Sequence, residues 1–280
     1  MSDRDGFAPG VPCLVTGVFP DPQAAAAFYS DLFGWETEDL MPEDQPGSYV
    51  LGRLRGRDAA AIVSEHGAPA PPEPVWTTLI WVESADEAAA KAADTGGRVV
   101  GRPFDSPGGG RQAVLADPAG AVFSVWEPRE RRGAQVVNEP GAWAMSSLST
   151  SDPKGAKRFY SEVFGWDNRS FEMGGGEITM FTVPGYVGGE PQQPVPRDVV
   201  AVMAPPTDDK DGPARWTVDF WVGDVDAAVS KLSDAGGEVL APPTNLTGTG
   251  LRQAVVRDPQ GAALTLTQPP SAAKALPPTT

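Results

Sequence analysis

The stretch "RWTVDFWV" (Arg215 to Val222) sets one carboxylate, Asp219, among apolar and aromatic residues at the alternating spacing of a strand. An acid in such surroundings has two options. It loses solvent and its pKa climbs toward that of a useful general base, or it is satisfied by neighbouring hydroxyls and only orients a ligand. Other side chains with chemical potential are few. The single Cys13 has no histidine near it in sequence and no second thiol to pair with, so it reads as a buried structural thiol. The single histidine, His66, stands in the loop-like "SEHGAPAPPEP" and reads as a solvated residue. One loop histidine completes no Ser/His/Asp set and no Cys/His zinc cluster. "GGGR" near Gly108 lacks the strand, helix and glycine spacing of a phosphate or dinucleotide loop.

The elements that must position these groups come as an internal repeat. "FYSDLFGWE" (Phe28 to Glu36) returns as "FYSEVFGWD" (Phe159 to Asp167), and "VWTTLIWV" (Val75 to Val82) returns as "RWTVDFWV". "RQAVLADPAGAVFSVWEP" (Arg111 to Pro128) returns as "RQAVVRDPQGAALTLTQP" (Arg252 to Pro269). The offset grows from 131 to 140 between the first two pairs, which places an insertion in the Gly/Pro-rich loop around Pro184 to Asp198. Two domains follow: 11–128 and 141–269, with a charged linker at 129–140 and a tail at 270–280 that reads as disordered. Within each domain the elements run strand, helix, strand, strand, strand, twice. In the first domain the helices are expected after the Asp-Pro turn at Asp21 and from Ala85 to Thr95, stopped by Gly96-Gly97; in the second, over Pro153 to Phe164 and Asp224 to Ala235.

Composition narrows the partners. A net charge of -15 repels phosphate backbones and anionic lipid, so neither nucleic acid nor a membrane surface is an expected partner. No apolar run approaches 18 residues, and the first ten residues lack the apolar centre of a signal peptide, which points to a cytoplasmic protein.

Taken in order, "DP..A..FY...FGW", "W...V...D.A......GG" and "RQAV..DP.GA", each present twice, resemble the vicinal oxygen chelate superfamily, which includes glyoxalase I, bleomycin-resistance proteins and extradiol dioxygenases. The tandem form is similar to actinobacterial two-domain glyoxalase-like proteins. The resemblance implies an α+β fold: tandem glyoxalase-like domains, each of two βαβββ modules whose curved sheet surrounds a cavity. It also implies a divalent metal held by His, Gln or Glu at three positions. In this chain those positions fall on Leu14, Thr77 and Ser124 in the first copy, and on Met145, Thr217 and Thr265 in the second. None suits a hard or borderline divalent ion, so no metal and no other cofactor is expected.

Strand alternation then gives the lining of each cavity. The first is expected to hold Leu14, Thr16, Thr77, Leu79, Trp81, Ser124 and Trp126, an apolar surface suited to a planar ligand. The second is more polar: Trp143, Met145, Ser147, Thr217, Asp219, Trp221 and Thr265. Trp126 and Trp143 have no tryptophan counterpart in the other copy and are the candidate ligand-specific indoles, whereas Trp35 with Trp166 and Trp76 with Trp216 read as packing. Arg111 and Arg252 read as surface ion-pair partners. The functional expectation is a metal-free binder of a small hydrophobic or aromatic molecule, monomeric or homodimeric. The alternative is a metal-independent enzyme of secondary metabolism that uses Asp219 for proton transfer.

Overall fold

The computed structural model describes residues 3–64, 71–173, 176–188, 196–204 and 213–270; His66, Gly174 and most of the tail lie outside these. The first domain contains β1 (Pro12–Val18), α1 (Pro22–Phe33), β2 (Glu36–Asp39), β3 (Tyr49–Leu54), β4 (Arg57–Val63), β5 (Val75–Trp81), α2 (Ala85–Asp94), β6 (Arg98–Ser106), β7 (Gly110–Ala116) and β8 (Val122–Pro128). The second repeats them as β9 (Trp143–Ser149), α3 (Pro153–Phe164), β10 (Asp167–Met173), β11 (Gly176–Thr182), β12 (Val199–Ala204), β13 (Arg215–Trp221), α4 (Val225–Asp234), β14 (Glu238–Asn245), β15 (Arg252–Arg257) and β16 (Ala263–Gln268). Each domain is one eight-stranded sheet, in the orders β2-β3-β4-β1-β5-β8-β7-β6 and β10-β11-β12-β9-β13-β16-β15-β14. Each sheet therefore consists of two βαβββ modules side by side, joined where β1 meets β5 and β9 meets β13 antiparallel. The insertion expected near Pro184–Asp198 falls between β11 and β12, where the first domain has the tight turn from β3 to β4.

The repeated Asp-Pro dipeptide starts a helix for a local reason. The Asp21 and Asp152 carboxylates accept the backbone N–H of Ala24 and Gly155, and the following proline sits where no helical N–H is needed. Gly34 and Gly165 then stop the helices with φ of 75° and 71°, a conformation that a side chain would strain.

The helix-bearing faces of the two sheets do not form separate cores. One core joins α1, β1 and Trp76 to Phe220, α4, Leu264 and Leu266; another joins α2, Leu115 and Phe123 to α3, Trp166 and Phe181. Stacking of Phe33 on Phe220, with centroids 4.8 Å apart, crosses from one domain to the other. Two polar chains cross with it. Trp76 Nε1 donates to Tyr29 Oη at 2.8 Å, and Tyr29 Oη donates to Asp258 of the other domain at 2.6 Å. Trp216 Nε1 donates to Tyr160 Oη at 2.8 Å, and Tyr160 Oη to Asp117 at 3.2 Å. Asp117 and Asp258 are the aspartates of the repeated "DP" phrase, and each also accepts the N–H groups of its own turn. Burial and the facing carboxylate hold both tyrosine hydroxyls well above the ordinary phenol pKa. Trp35 and Trp166 donate across the interface to the carbonyls of Gly141 and Gly10, both at 2.7 Å. Their packing role, and that of Trp76 and Trp216, is thus an interdomain one.

The segment at 129–140 folds onto the first domain. Arg131 pairs with Asp58 at 2.7 Å, and the N–H groups of Ala134 and Gln135 donate to the carbonyls of Cys13 and Asp58. Cys13 itself is fully buried, and burial pushes its thiol far up.

Candidate functional site

Each sheet leaves its other, concave face to form a cup, and register fixes what lines it. In the first domain Leu14 pairs with Leu79, Thr16 with Thr77, Leu79 with Ser124 and Trp81 with Trp126, so all seven residues share this face. All seven are buried; Leu79 and Trp126 are wholly inaccessible. The filling comes from their neighbours. Tyr49 spans the cup from β3, and its hydroxyl lies so close over Gly108, in the turn before β7, that a Cβ there would meet it at 2.2 Å. Trp126 lies equally close over Gly110, and its Nε1 donates to the carbonyl of Arg131 at 3.1 Å. Gly6 lies beside the Trp81 ring, whose edge is 3.9 Å from where a Cβ at Gly6 would stand. Trp126, a candidate ligand contact by sequence, is therefore packed against the chain's own turn and linker.

The second domain differs at the same positions. Asp219 pairs with Met145 on one side and Thr265 on the other, Thr217 pairs with Ser147, and Trp221 with Thr267. Met145, Ser147, Thr217, Asp219 and Trp221 all retain partial exposure, as do Met180 and Val202 on the adjoining strands, while Thr265 and Thr267 are buried. The face is a half-open cup with Asp219 at its centre.

One expectation is corrected. Trp143 does not line this cup, because a β-bulge between Asp219 and Phe220 puts Trp143 opposite Phe220 rather than in alternation with Met145. Its indole instead joins the interdomain core, where Nε1 donates to Ser146 Oγ at 3.2 Å and Ser146 Oγ accepts from Thr78 at 2.6 Å. A cavity of about 50 Å³ lined by Phe7, Trp143, Met145 and Tyr186 runs between the domains here, room for a water or two rather than a metabolite.

The electrostatics of the cup centre on Asp219. Its Oδ1 is buried and has no hydrogen-bond partner among the described residues. Loss of solvent pushes the carboxyl pKa up to about 8, against which a hydrogen bond from Thr267 acts weakly. Gln253 Nε2 donates to Thr267 Oγ1 at 2.9 Å, which leaves the threonine O–H to point at Asp219. Gln253 was not singled out from the sequence, although it is the second residue of the repeated "RQAV" phrase and pairs with Thr267 in register. Arg111 and Arg252 hold Asp86 and Asp226 in two-pronged surface ion pairs and do not enter either cup.

Residues 15–125 match the glyoxalase/bleomycin resistance protein/dioxygenase superfamily, and residues 145–267 match a glyoxalase-like domain. A protein named as a glyoxylase, CFP32 of Mycobacterium tuberculosis, is 34% identical over 272 residues, covering 96% of this chain and 98% of its own length. The chain belongs to the glyoxalase/bleomycin resistance protein/dioxygenase superfamily. The anthracycline biosynthesis protein DnrV of Streptomyces peucetius is 30% identical over 278 residues, covering 94% of each chain. Among solved structures, the Mn(II)-bound glyoxalase from Novosphingobium aromaticivorans matches with a TM-score of 0.60 at 17% identity, covering 93% of this chain and 82% of that one. The 2,2',3-trihydroxybiphenyl 1,2-dioxygenase of Sphingomonas wittichii strain RW1 matches with a TM-score of 0.59 at 14% identity, covering 96% and 95%. These likenesses establish the tandem fold.

The superfamily's metal does not fit the side chains present. Met145, Thr217 and Thr265 surround Asp219 with one thioether and two hydroxyls, and Leu14, Thr77 and Ser124 offer still less in the filled cup. A divalent ion held by protein normally takes several carboxylates or imidazoles. Among the described residues no group of three or more His, Cys, Asp or Glu is placed to hold one, and no helix is long and apolar enough to cross a membrane.

Proposed function

We propose that the chain binds a small hydrophobic or aromatic metabolite in the concave face of its second domain, without a divalent metal at the superfamily's usual position. The observation that carries this reading is the contrast in burial. The first cup is sealed by Tyr49 and Trp126, while the second keeps Met145, Trp221, Met180 and Val202 accessible around a carboxyl with an unpartnered oxygen. The names of relatives agree with it: anthracycline biosynthesis for DnrV, and a hydroxylated biphenyl for the structurally similar dioxygenase. The protein acts as a cytoplasmic monomer or homodimer with no nucleic-acid or lipid partner, consistent with its net charge of -15.

Asp219 favours a second reading, proton transfer during turnover of the bound molecule, because a carboxyl pushed up to a pKa of about 8 exchanges its proton close to the neutral range. Both readings meet one experiment: metal analysis of protein purified without chelators, then titration with an aromatic library followed by tryptophan fluorescence. Quenching that Trp221→Phe removes, in protein without bound metal, is the expected result; stoichiometric metal, or no quenching by any compound, sinks the proposal. Asp219→Asn separates the readings, since it abolishes turnover but spares binding if proton transfer is the role.

A further inference from the structure

Asp219 carries more information than its position. A buried polar atom without a partner costs about 1–3 kcal/mol, so an orphaned carboxyl oxygen in an accessible cup is a place where a ligand atom belongs. Two ligand chemistries would satisfy it: a cation facing a carboxylate, or an acceptor oxygen facing a neutral carboxylic acid. The surroundings decide between them. The strands flanking Asp219, β9 and β16, present Met145, Ser147 and Ser149 and Ala263, Thr265 and Thr267 on this face, and β12 beyond β9 presents Val202 and Ala204; none is charged. On its own strand the nearest charged residue is Arg215, two side chains along the same face. Arg252 and Arg257 on β15 are paired with Asp226 and Glu238, and Arg169 at the far edge with Asp198.

The hydrogen bonds also place the proton. Gln253 holds Thr267 and leaves its O–H for Asp219, while Oδ1 of Asp219 has no partner among the described residues and is the place for the carboxyl's own proton. From this geometry we propose that Asp219 is a hydrogen-bond donor that selects ligands carrying a carbonyl oxygen, such as planar aromatic ketones, over hydrocarbons and amines of the same shape. The inference rests on the second concave face being the ligand site. It assigns Asp219 a specificity role whether or not the ligand is turned over.

The test uses the full chain and three probes of one shape: 1-indanone, indane and 2-aminoindane, titrated by calorimetry at pH 6.5. The ketone should bind about tenfold more tightly than indane, the value of one well-made hydrogen bond that would otherwise be lost. Asp219→Asn, which keeps an N–H donor at the same place, should preserve that preference, and Asp219→Leu should erase it while indane binding persists. Equal binding of 1-indanone and indane to the unaltered chain overturns the proposal and leaves the site reading standing. Preferred binding of 2-aminoindane that depends on Asp219 also overturns it, in favour of a carboxylate and a cation. If none of the three binds, both the proposal and the site reading fall. A thermal melt of Asp219→Leu shows whether its loss of preference comes from a folded protein.

Discussion

Leu79 and Asp219 occupy the same place in two copies of one sheet, each between the first and last strands of its domain. Around Leu79 every neighbouring side chain is buried, and Tyr49, Trp126 and Arg131 occupy the space a ligand would take. Around Asp219 the corresponding positions are hydroxyls and a thioether, with Thr267 where the first domain has Trp126, and the face stays half open. The comparison shows that the fold alone does not make a site. One large side chain on the last strand and one tyrosine from a neighbouring strand turn the same curved sheet from a cup into a second core.

Exchanging the two central residues gives the strongest challenge to this contrast. Leu79→Asp should cost on the order of 5 kcal/mol, because it buries a carboxyl with neither water nor partner. Asp219→Leu should be near neutral or stabilising, since it removes the cost already present. Urea unfolding measures both, and similar losses would show that the two cups are equally packed. Next in size, Trp126→Ala should lower stability by about 3–4 kcal/mol by leaving a cavity, whereas Trp221→Ala, on a surface that is already accessible, should lower it by about 1 kcal/mol. A third prediction concerns pH. Asp219 has a pKa of about 8 in the folded chain and that of an ordinary aspartate when unfolded, so the folded state binds the extra proton between the two values. Stability therefore falls as pH rises through that window and levels off above it. Between pH 6 and pH 8 the loss is about 2 kcal/mol, and Asp219→Asn should flatten the profile. With one histidine in the chain, little else titrates there. An unchanged slope in the variant would place Asp219 in contact with water and remove the electrostatic difference between the cups.

Much of this was legible beforehand. The repeat revealed two domains of paired modules because the Asp-Pro caps, the glycine stops and the alternating strands are local signals. Asp219 stood out because a carboxylate breaks an otherwise apolar strand. The edge strands β2 and β10 were not located: "ETED" is exposed at every position and carries no apolar alternation to read. Trp143 was misplaced by one bulge, which alternation cannot foresee. That the first cup is filled was hidden for a different reason. Tyr49 comes from β3 and Arg131 from the segment after β8, and nothing in the pattern of β1, β5 or β8 records their arrival.

The twin Trp–Tyr–Asp chains have a consequence for how such a molecule diversifies. They form a self-complementary contact: what the first copy gives the second, the second gives back. Between two identical subunits that symmetry would bind both cups to one sequence, so that any change improving one would be imposed on the other. Written into a single chain, the same contact keeps its geometry while the two copies inherit their substitutions independently. One cup was thereby free to become ballast while the other remained available for selection.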